Sequence, residues 1–274
     1  MKKIKTALIG HGHLGKFHAE KLKDHASVEF NCICDSRMGD ETFRAQLTNL
    51  YPNVQLVEEI KYLPKDTEAA LVASPTSTHF AIISELIERN IHVFCEKPMV
   101  TATADAEAIK RKLLSKPSLI FQVGHSERCH SVWSEMRKNY RAFFTTPGRV
   151  TIKRVAPFKG RAVDVDVIQD LMIHDIDAAL FLLGPIAKVN NVQGYKTITG
   201  YWDYVTASLT MESGHEANIV SSRIHSYEER SFEITSELGT LKIDLMNGKF
   251  SVFFAKDMKV IEASYDKQDH LRLE

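Results

Sequence analysis

Gly10-His11-Gly12-His13-Leu14-Gly15 sets three glycines at the spacing G-x-G-x-x-G, and Asp35 follows 20 residues after Gly15. That spacing suits the binding of a dinucleotide. Gly10 permits a tight turn. Gly12 removes a side chain where a pyrophosphate must approach the backbone, and Gly15 lets a helix pack closely on a strand. The helix N-terminus then offers unpaired N–H groups and a favourable dipole to phosphates. Asp35 suits the hydroxyls of an adenosine ribose, and its charge repels a 2′-phosphate, which favours NAD over NADP. Arg37 is read as a solvated surface charge in preference to a partner for such a phosphate.

Three further groups have chemical potential. Asp170 and His174 are four apart, so on a helix they share a face. A carboxylate beside an imidazole can orient it and stabilise its charged form, as a general base requires. The same pair also fits a polar helix surface, or a core histidine with one nitrogen satisfied. In Cys95-Glu96-Lys97-Pro98 a lysine is held next to a glutamate and fixed by a proline. It is placed to hydrogen-bond a substrate hydroxyl, or it forms a surface turn. In Ser74-Pro75-Thr76-Ser77-Thr78-His79, Pro75 stiffens a turn and Thr76 or Ser77 can cap the next helix. His79 either reaches a cleft or sits on the first helical turn. The chain's 12 histidines show no H-E-x-x-H or comparable spacing, so no metal is expected.

These residues need elements to position them. Thr6–Ile9, Phe30–Cys34, Ala69–Ala73, Ile91–Cys95 and Leu119–Val123 read as buried strands. Helices lie between them: Leu14–Leu22, and a segment with Phe80, Ile83, Leu86 and Ile87 on one face. Continuous apolar strands separated by helices predict a parallel sheet covered on both faces. Asp35, Ser74 and Glu96-Lys97 then fall beyond carboxyl ends of strands, where such sheets bind ligands. The second half changes character. One long helix is expected over Asp166–Leu183, stopped by Gly184-Pro185. Strands are expected over Ala187–Tyr195, Tyr204–Met211, Glu216–Ile224, Ser231–Thr235, Gly239–Leu245 and Lys249–Phe254, arranged like a meander. Two domains follow, 1–123 and 124–274.

Composition sets outer bounds. The 274 residues carry 35 Lys plus Arg against 35 Asp plus Glu, a formal charge of zero. This excludes a globally basic nucleic-acid binder and gives no reason to expect an anionic membrane as partner. With 44% hydrophobic and 26% charged residues, bulk disorder is not expected. The four cysteines, Cys32, Cys34, Cys95 and Cys129, complete no zinc pattern and are expected to be reduced and mostly buried. No apolar stretch nears 18 residues and the first apolar run is too short for a signal peptide, so a cytoplasmic location is expected.

The dinucleotide turn, Pro75-Thr76-x-x-His79, Glu96-Lys97-Pro98 and the run Asp170-Leu171-Met172-Ile173-His174-Asp175-Ile176-Asp177 together resemble the Gfo/Idh/MocA oxidoreductase family. The last run resembles that family's Asp-x-x-x-His motif on the first helix of the C-terminal domain. The resemblance covers nearly the whole chain. It implies an α/β protein: an N-terminal Rossmann domain with a doubly wound parallel sheet, then an α+β domain with a large, open, mainly antiparallel sheet. It implies that His174 removes a hydroxyl proton, Lys97 hydrogen-bonds the same oxygen, and Asp170 orients His174 or binds a neighbouring hydroxyl. The cofactor set it implies is Gly10, Gly12, His13, Leu14, Gly15, Asp35, Ser36, Arg37, Ser74, Pro75, Thr76, His79, Glu96 and Lys97. A homodimer or homotetramer is implied as well.

Val123-Gly124-His125-Ser126-Glu127-Arg128 and the Asp170–Asp177 run are similar to the branch acting on UDP-N-acetylglucosamine. Its members oxidise the sugar 3-hydroxyl to a ketone with NAD as acceptor, before an aminotransferase makes the 3-amino sugar of some lipid A pathways. Here Arg128 is followed by Cys129-His130-Ser131, where the branch usually has Phe-Asn-Pro. Candidate substrate residues are His125, Glu127, Arg128, Lys153 and Arg161, with Arg154 and Lys159 as further cations for a diphosphate. The alternatives are another sugar, an inositol or a linear tetrapyrrole as substrate, or a non-catalytic NAD(P)-binding regulator.

Overall fold

The computed structural model describes residues 2–160 and 165–266. The chain divides into two compact units, Met1–Gly124 and His125–Glu274.

The first unit is built on six parallel strands: β1 (Ile4–Ile9), β2 (Val28–Cys34), β3 (Gln55–Val57), β4 (Ala69–Val72), β5 (His92–Glu96) and β6 (Phe121–Gly124). Their order is β3-β2-β1-β4-β5-β6. The sequence order reverses between β1 and β4, which opens a crevice beyond their carboxyl ends. The strands are apolar throughout because both faces are covered. Alternate residues feed separate cores: Ala7, Ile9, Cys32 and Cys34 on one side, Leu8 and Ile33 on the other. The covering helices are α1 (His13–Asp24), α2 (Glu41–Leu50), α3 (Thr76–Glu88) and α4 (Thr103–Leu114). In α3, Ile83, Leu86 and Ile87 are buried at the spacing of one helical face. Cys32, Cys34 and Cys95 are buried free thiols whose pKa burial pushes up to about 12. Cys129 is half-buried and forms no disulfide among the described residues.

The second unit contains α5 (Ser131–Asn139), β7 (Arg149–Val155), α6 (Ile173–Leu183) and strands β8 (Ile186–Tyr195), β9 (Tyr204–Met211), β10 (Glu216–Ser222), β11 (Glu229–Ser236), β12 (Gly239–Asp244), β13 (Lys249–Phe254) and β14 (Lys259–Ser264). The eight strands run in the order β14-β13-β12-β11-β7-β10-β9-β8. This is not a simple meander. β7 enters between β11 and β10 and pairs with β10 in parallel, while the other pairs are antiparallel. One face buries Val150, Ile152, Ala207, Leu209, Ile219, Phe232 and Ile234 in a core shared with residues of α5 and α6. The intervening positions are less buried and mostly polar, such as Thr151, Lys153, Thr206, Ser208, Asn218 and Glu233. The sheet is therefore half-buried, with period-two patterning.

The long helix expected over Asp166–Leu183 is not uniform. Ile168–Met172 form a π-helical turn, and regular α6 begins only at Ile173. Gly184, at φ 88°, ends α6 with its N–H bonded to the Leu180 carbonyl. Among the described residues no helix is long and apolar enough to cross a membrane.

Candidate active site

In the first unit, each glycine of the turn has a distinct steric role. Gly10 has φ +90°, and a Cβ there would lie 2.7 Å from the Ser74 backbone. A Cβ on Gly15 would lie 2.0 Å from the Gly10 carbonyl oxygen, so α1 can approach β1 only without it. A Cβ on Gly12 would meet nothing within 4 Å. The first two glycines serve the fold, whereas Gly12 faces open space that a ligand can use. Gly12 is also the N-cap of α1 and provides no side-chain cap, so first-turn N–H groups remain for a phosphate. His13 and Leu14 are exposed on that turn.

A cleft of about 630 Å³ opens here, lined by Gly10, Gly12, Asp35, Ser36, Arg37, Ser74, Pro75 and Thr78 among others. Its walls fit a dinucleotide: a glycine with no neighbour for a Cβ at one side and a buried carboxylate at another. Asp35 accepts from the His11 N–H at 2.8 Å and the Arg37 N–H at 3.0 Å. Arg37 adds Nε at 2.9 Å to Oδ1 and Nη2 at 2.8 Å to Oδ2. Arg37 is therefore an ion-pair partner of Asp35 while its side chain stays about half exposed to solvent, and its guanidinium also lies 4.1 Å over the Phe43 ring. Burial opposes ionisation of Asp35, but the Arg37 side chain and the two backbone N–H groups hold its pKa below the ordinary carboxylate range.

Several other expectations for this unit are corrected. Neither Thr76 nor Ser77 caps α3; the N-cap is Pro75, without a side-chain bond. Thr78 instead turns back, its Oγ1 donating to the Pro75 carbonyl at 2.7 Å and lying 2.8 Å from Ser74 Oγ. His79 does not reach the cleft. It is 1% exposed, its Nε2 lies 2.9 Å from the Ser74 carbonyl oxygen, and its Nδ1 lies 3.1 Å from that of Pro98. It ties the turn after β4 to the segment that follows Lys97. Glu96 is likewise buried and engaged within the unit: its Oε1 meets His18 Nε2 at 2.6 Å, and its Oε2 accepts the Lys97 N–H at 3.2 Å. His18 was not singled out from sequence, since its partner lies 78 residues away. Lys97 itself is half-buried at the carboxyl end of β5, joined to Pro98 by a cis peptide bond.

In the second unit, Asp170 lies in the π turn and His174 on the first turn of α6. π turns inside helices recur at functional sites because they re-aim side chains. The segment is pinned from outside. Arg223 donates to the Val165 carbonyl at 2.9 Å and to Asp203 at 2.8 Å, and the Val167 N–H bonds the Trp202 carbonyl at 2.9 Å. Burial opposes ionisation of Asp203, but N–H groups of Thr199, Thr197 and Ile198 hold its pKa far below the usual range.

The carboxylates after His174 are buried clamps. Arg154, 4% exposed, donates Nε to Asp175 at 2.9 Å and Nη1 to Glu127 at 3.3 Å. Glu127 also meets His130 Nε2 at 3.2 Å, and its carbonyl accepts from Trp133 Nε1 at 2.6 Å. One guanidinium serves two buried carboxylates, and they split. Burial outweighs Arg154 at Asp175 and raises its pKa to about 6, while Arg154 and His130 overcome burial at Glu127 and keep it well below 4.5. Arg128 is bidentate to Asp177, with Nε 2.8 Å from Oδ2, and His125 Nδ1 lies 3.7 Å from the same oxygen.

Glu127 and Arg128 are thus engaged in internal pairs, where sequence expected substrate contacts. Lys153 is paired as well. It sits out of phase with the buried Ile152 and Arg154 on β7, and pairs with Glu229 at 2.7 Å and Tyr227 at 2.8 Å. Arg161 lies outside the described residues.

Residues 4–125 match the oxidoreductase family model with an NAD-binding Rossmann fold, and residues 138–242 match the GFO/IDH/MocA C-terminal domain. UDP-N-acetylglucosamine 3-dehydrogenase of Acidithiobacillus ferrooxidans is 30% identical over 250 residues, covering 91% of this chain and 77% of that protein. The chain belongs to the Gfo/Idh/MocA oxidoreductase family. A solved structure of the Acidithiobacillus enzyme aligns over 100% of this chain and 87% of that one, with a TM-score of 0.85 and 29% identity. Inositol 2-dehydrogenase of Rhizobium meliloti is 27% identical over 247 residues, covering 83% of this chain and 72% of that protein. These matches agree with the expected family and fold: a six-stranded parallel Rossmann sheet and an eight-stranded, mostly antiparallel C-terminal sheet.

Proposed function

We propose that the chain is an NAD-dependent dehydrogenase that oxidises a sugar hydroxyl to a ketone, with the 3-hydroxyl of UDP-N-acetylglucosamine as its substrate group. The observation that carries this reading is the placement of Asp170 in a π turn immediately before His174, in a chain 30% identical to a UDP-N-acetylglucosamine 3-dehydrogenase. In this reading residues 1–123 hold the cofactor and 124–274 the substrate.

The residues act by ordinary acid–base chemistry. Bound NAD would supply the acceptor for the hydride of the carbinol carbon. His174 takes the hydroxyl proton as the hydride departs, a transfer for which an imidazole is suited near neutral pH. Lys97 donates a hydrogen bond to the oxygen and stabilises negative charge as it develops. Asp170 orients the imidazole or binds the neighbouring hydroxyl. Gly12 and the first turn of α1 receive the cofactor phosphates, and Asp35 the adenosine ribose. A cytoplasmic homodimer or homotetramer goes with this reading.

The 27% identity to an inositol 2-dehydrogenase supports a second reading, a cyclic polyol as substrate. A panel of UDP-N-acetylglucosamine, free N-acetylglucosamine and myo-inositol with NAD separates the two, read as growth of the reduced-nicotinamide band. The nucleotide sugar is expected to give the highest kcat/KM. Faster oxidation of myo-inositol would assign the chain to the polyol branch, and no oxidation of any sugar with intact NAD binding would make it a regulator.

A further inference from the structure

Arg230 and Arg154 are register partners across the antiparallel pair β11–β7. Arg230 shares the parity of Phe232 and Ile234 on β11, and Arg154 that of Val150 and Ile152 on β7, so both arginines belong to the face that carries the core. Two like charges directly opposite on neighbouring strands are destabilising. Arg154 is neutralised by Asp175 and Glu127. Arg230 is not: among the described residues its guanidinium makes no hydrogen bond or ion pair. Arg230 remains solvent-accessible, yet the protein around it and the Arg154 charge lower its pKa.

The same arginine lines a depression with Arg154, Lys159, Asp170, Arg223 and Glu228. Among the described residues, three of the four cations that line it already have carboxylate partners: Arg154 with Asp175, Arg223 with Asp203, and Lys159 with Glu228. The space measures about 50 Å³, several times the roughly 10–15 Å³ that a single water needs, so it admits a group larger than one water. Asp170, from the π turn, stands in the wall of the same depression.

We propose that Arg230 is a specificity-determining residue whose guanidinium donates hydrogen bonds to a phosphoryl group of the substrate, selecting a nucleoside-diphosphate sugar over a neutral polyol. The inference rests on the proposed dehydrogenase reading. A bound diphosphate supplies the acceptors that the Arg230 guanidinium lacks, and a planar guanidinium presents paired N–H donors to phosphoryl oxygens.

The test is calorimetric titration of the full-length protein with UDP, comparing wild type, Arg230→Gln and Arg230→Lys, with NAD titrated in parallel. UDP affinity is expected to fall about 10–100-fold in Arg230→Gln, to recover in part in Arg230→Lys, and NAD affinity to stay unchanged. The thermal midpoint of Arg230→Gln is expected to equal or exceed wild type, because the change relieves a like-charge contact; a purely structural arginine would lower it. Equal UDP affinity in wild type and Arg230→Gln, or no UDP binding by wild type, overturns the inference. Turnover of UDP-N-acetylglucosamine is measured separately. UDP binding through Arg230 without turnover sinks the proposed substrate and leaves the phosphoryl subsite standing. Turnover with the same KM in wild type and Arg230→Gln leaves the dehydrogenase standing and sinks the subsite.

Discussion

Arg37 grips both carboxylate oxygens of Asp35, at 2.9 Å to Oδ1 and 2.8 Å to Oδ2. With the N–H groups of His11 and Arg37, this fills the roughly four acceptor positions a carboxylate offers. A ribose hydroxyl that binds Asp35 must displace an Arg37 contact. Asp35→Ser removes the acceptor and frees the guanidinium. NAD affinity is expected to fall about 10–100-fold and the preference over NADP to shrink, because the released arginine can meet a 2′-phosphate. Calorimetry with both cofactors checks this; an unchanged preference would show that Asp35 does not read the ribose.

Gly12 and Gly15 separate ligand binding from folding. Gly15→Ala forces a Cβ against the Gly10 carbonyl oxygen and should cost about 3 kcal/mol or more of stability. Gly12→Ala meets nothing and should leave stability within about 0.5 kcal/mol while weakening NAD binding tenfold or more. Denaturation curves and NAD titrations on the two variants distinguish these roles. Loss of NAD binding in neither variant would remove the turn from the cofactor site.

The dinucleotide turn was legible because its chemistry is local: three glycines, a strand and a helix lie within one short run. The Glu96–His18 and Arg154–Asp175–Glu127 contacts were not, because sheet register and tertiary packing, not spacing in the chain, bring the partners together. Glu96 and Glu127 are buried against partners distant in sequence, and Arg128 pairs with Asp177 while staying about half exposed, placements that a charged residue beside a motif does not reveal. β7 escaped notice for a similar reason, as its partners β10 and β11 come some 60–80 residues later. The π turn has no local signature: Ile168–Met172 carry the same apolar pattern that a plain α-helix would.

The Arg154 clamp should be costly to break. Arg154→Leu leaves Glu127 and Asp175 buried without a counter-charge, and a loss of about 3–5 kcal/mol is expected in chemical denaturation. A loss under about 1 kcal/mol would mean that the carboxylates find other partners.

Asp175 and Glu127 give opposite pH dependences. Asp175, raised to about 6 by burial, binds its proton more tightly in the folded than in the unfolded chain. Its contribution to stability is therefore present at low pH and declines as pH rises from about 4 to 6, with a limiting slope of about 1.4 kcal/mol per unit. Glu127, held below its ordinary value of 4.5, contributes stability above that value and loses it as pH falls. Asp175→Asn should abolish the first trend and keep the second. Parallel stability–pH profiles for wild type and variant would contradict the raised pKa.

His174→Ala is expected to lower kcat by about 10²–10⁴-fold with NAD affinity unchanged, since the residue moves a proton and does not hold the cofactor. Near-normal turnover in single-turnover experiments would remove His174 from the chemistry.

The most direct test uses UDP-N-acetylglucosamine carrying deuterium at C3, incubated with the protein and NAD. The expected result is reduced nicotinamide bearing that deuterium, formed together with the 3-keto sugar nucleotide. Reduced cofactor without deuterium, or no reduced cofactor while NAD binding is intact, would contradict hydride transfer from C3.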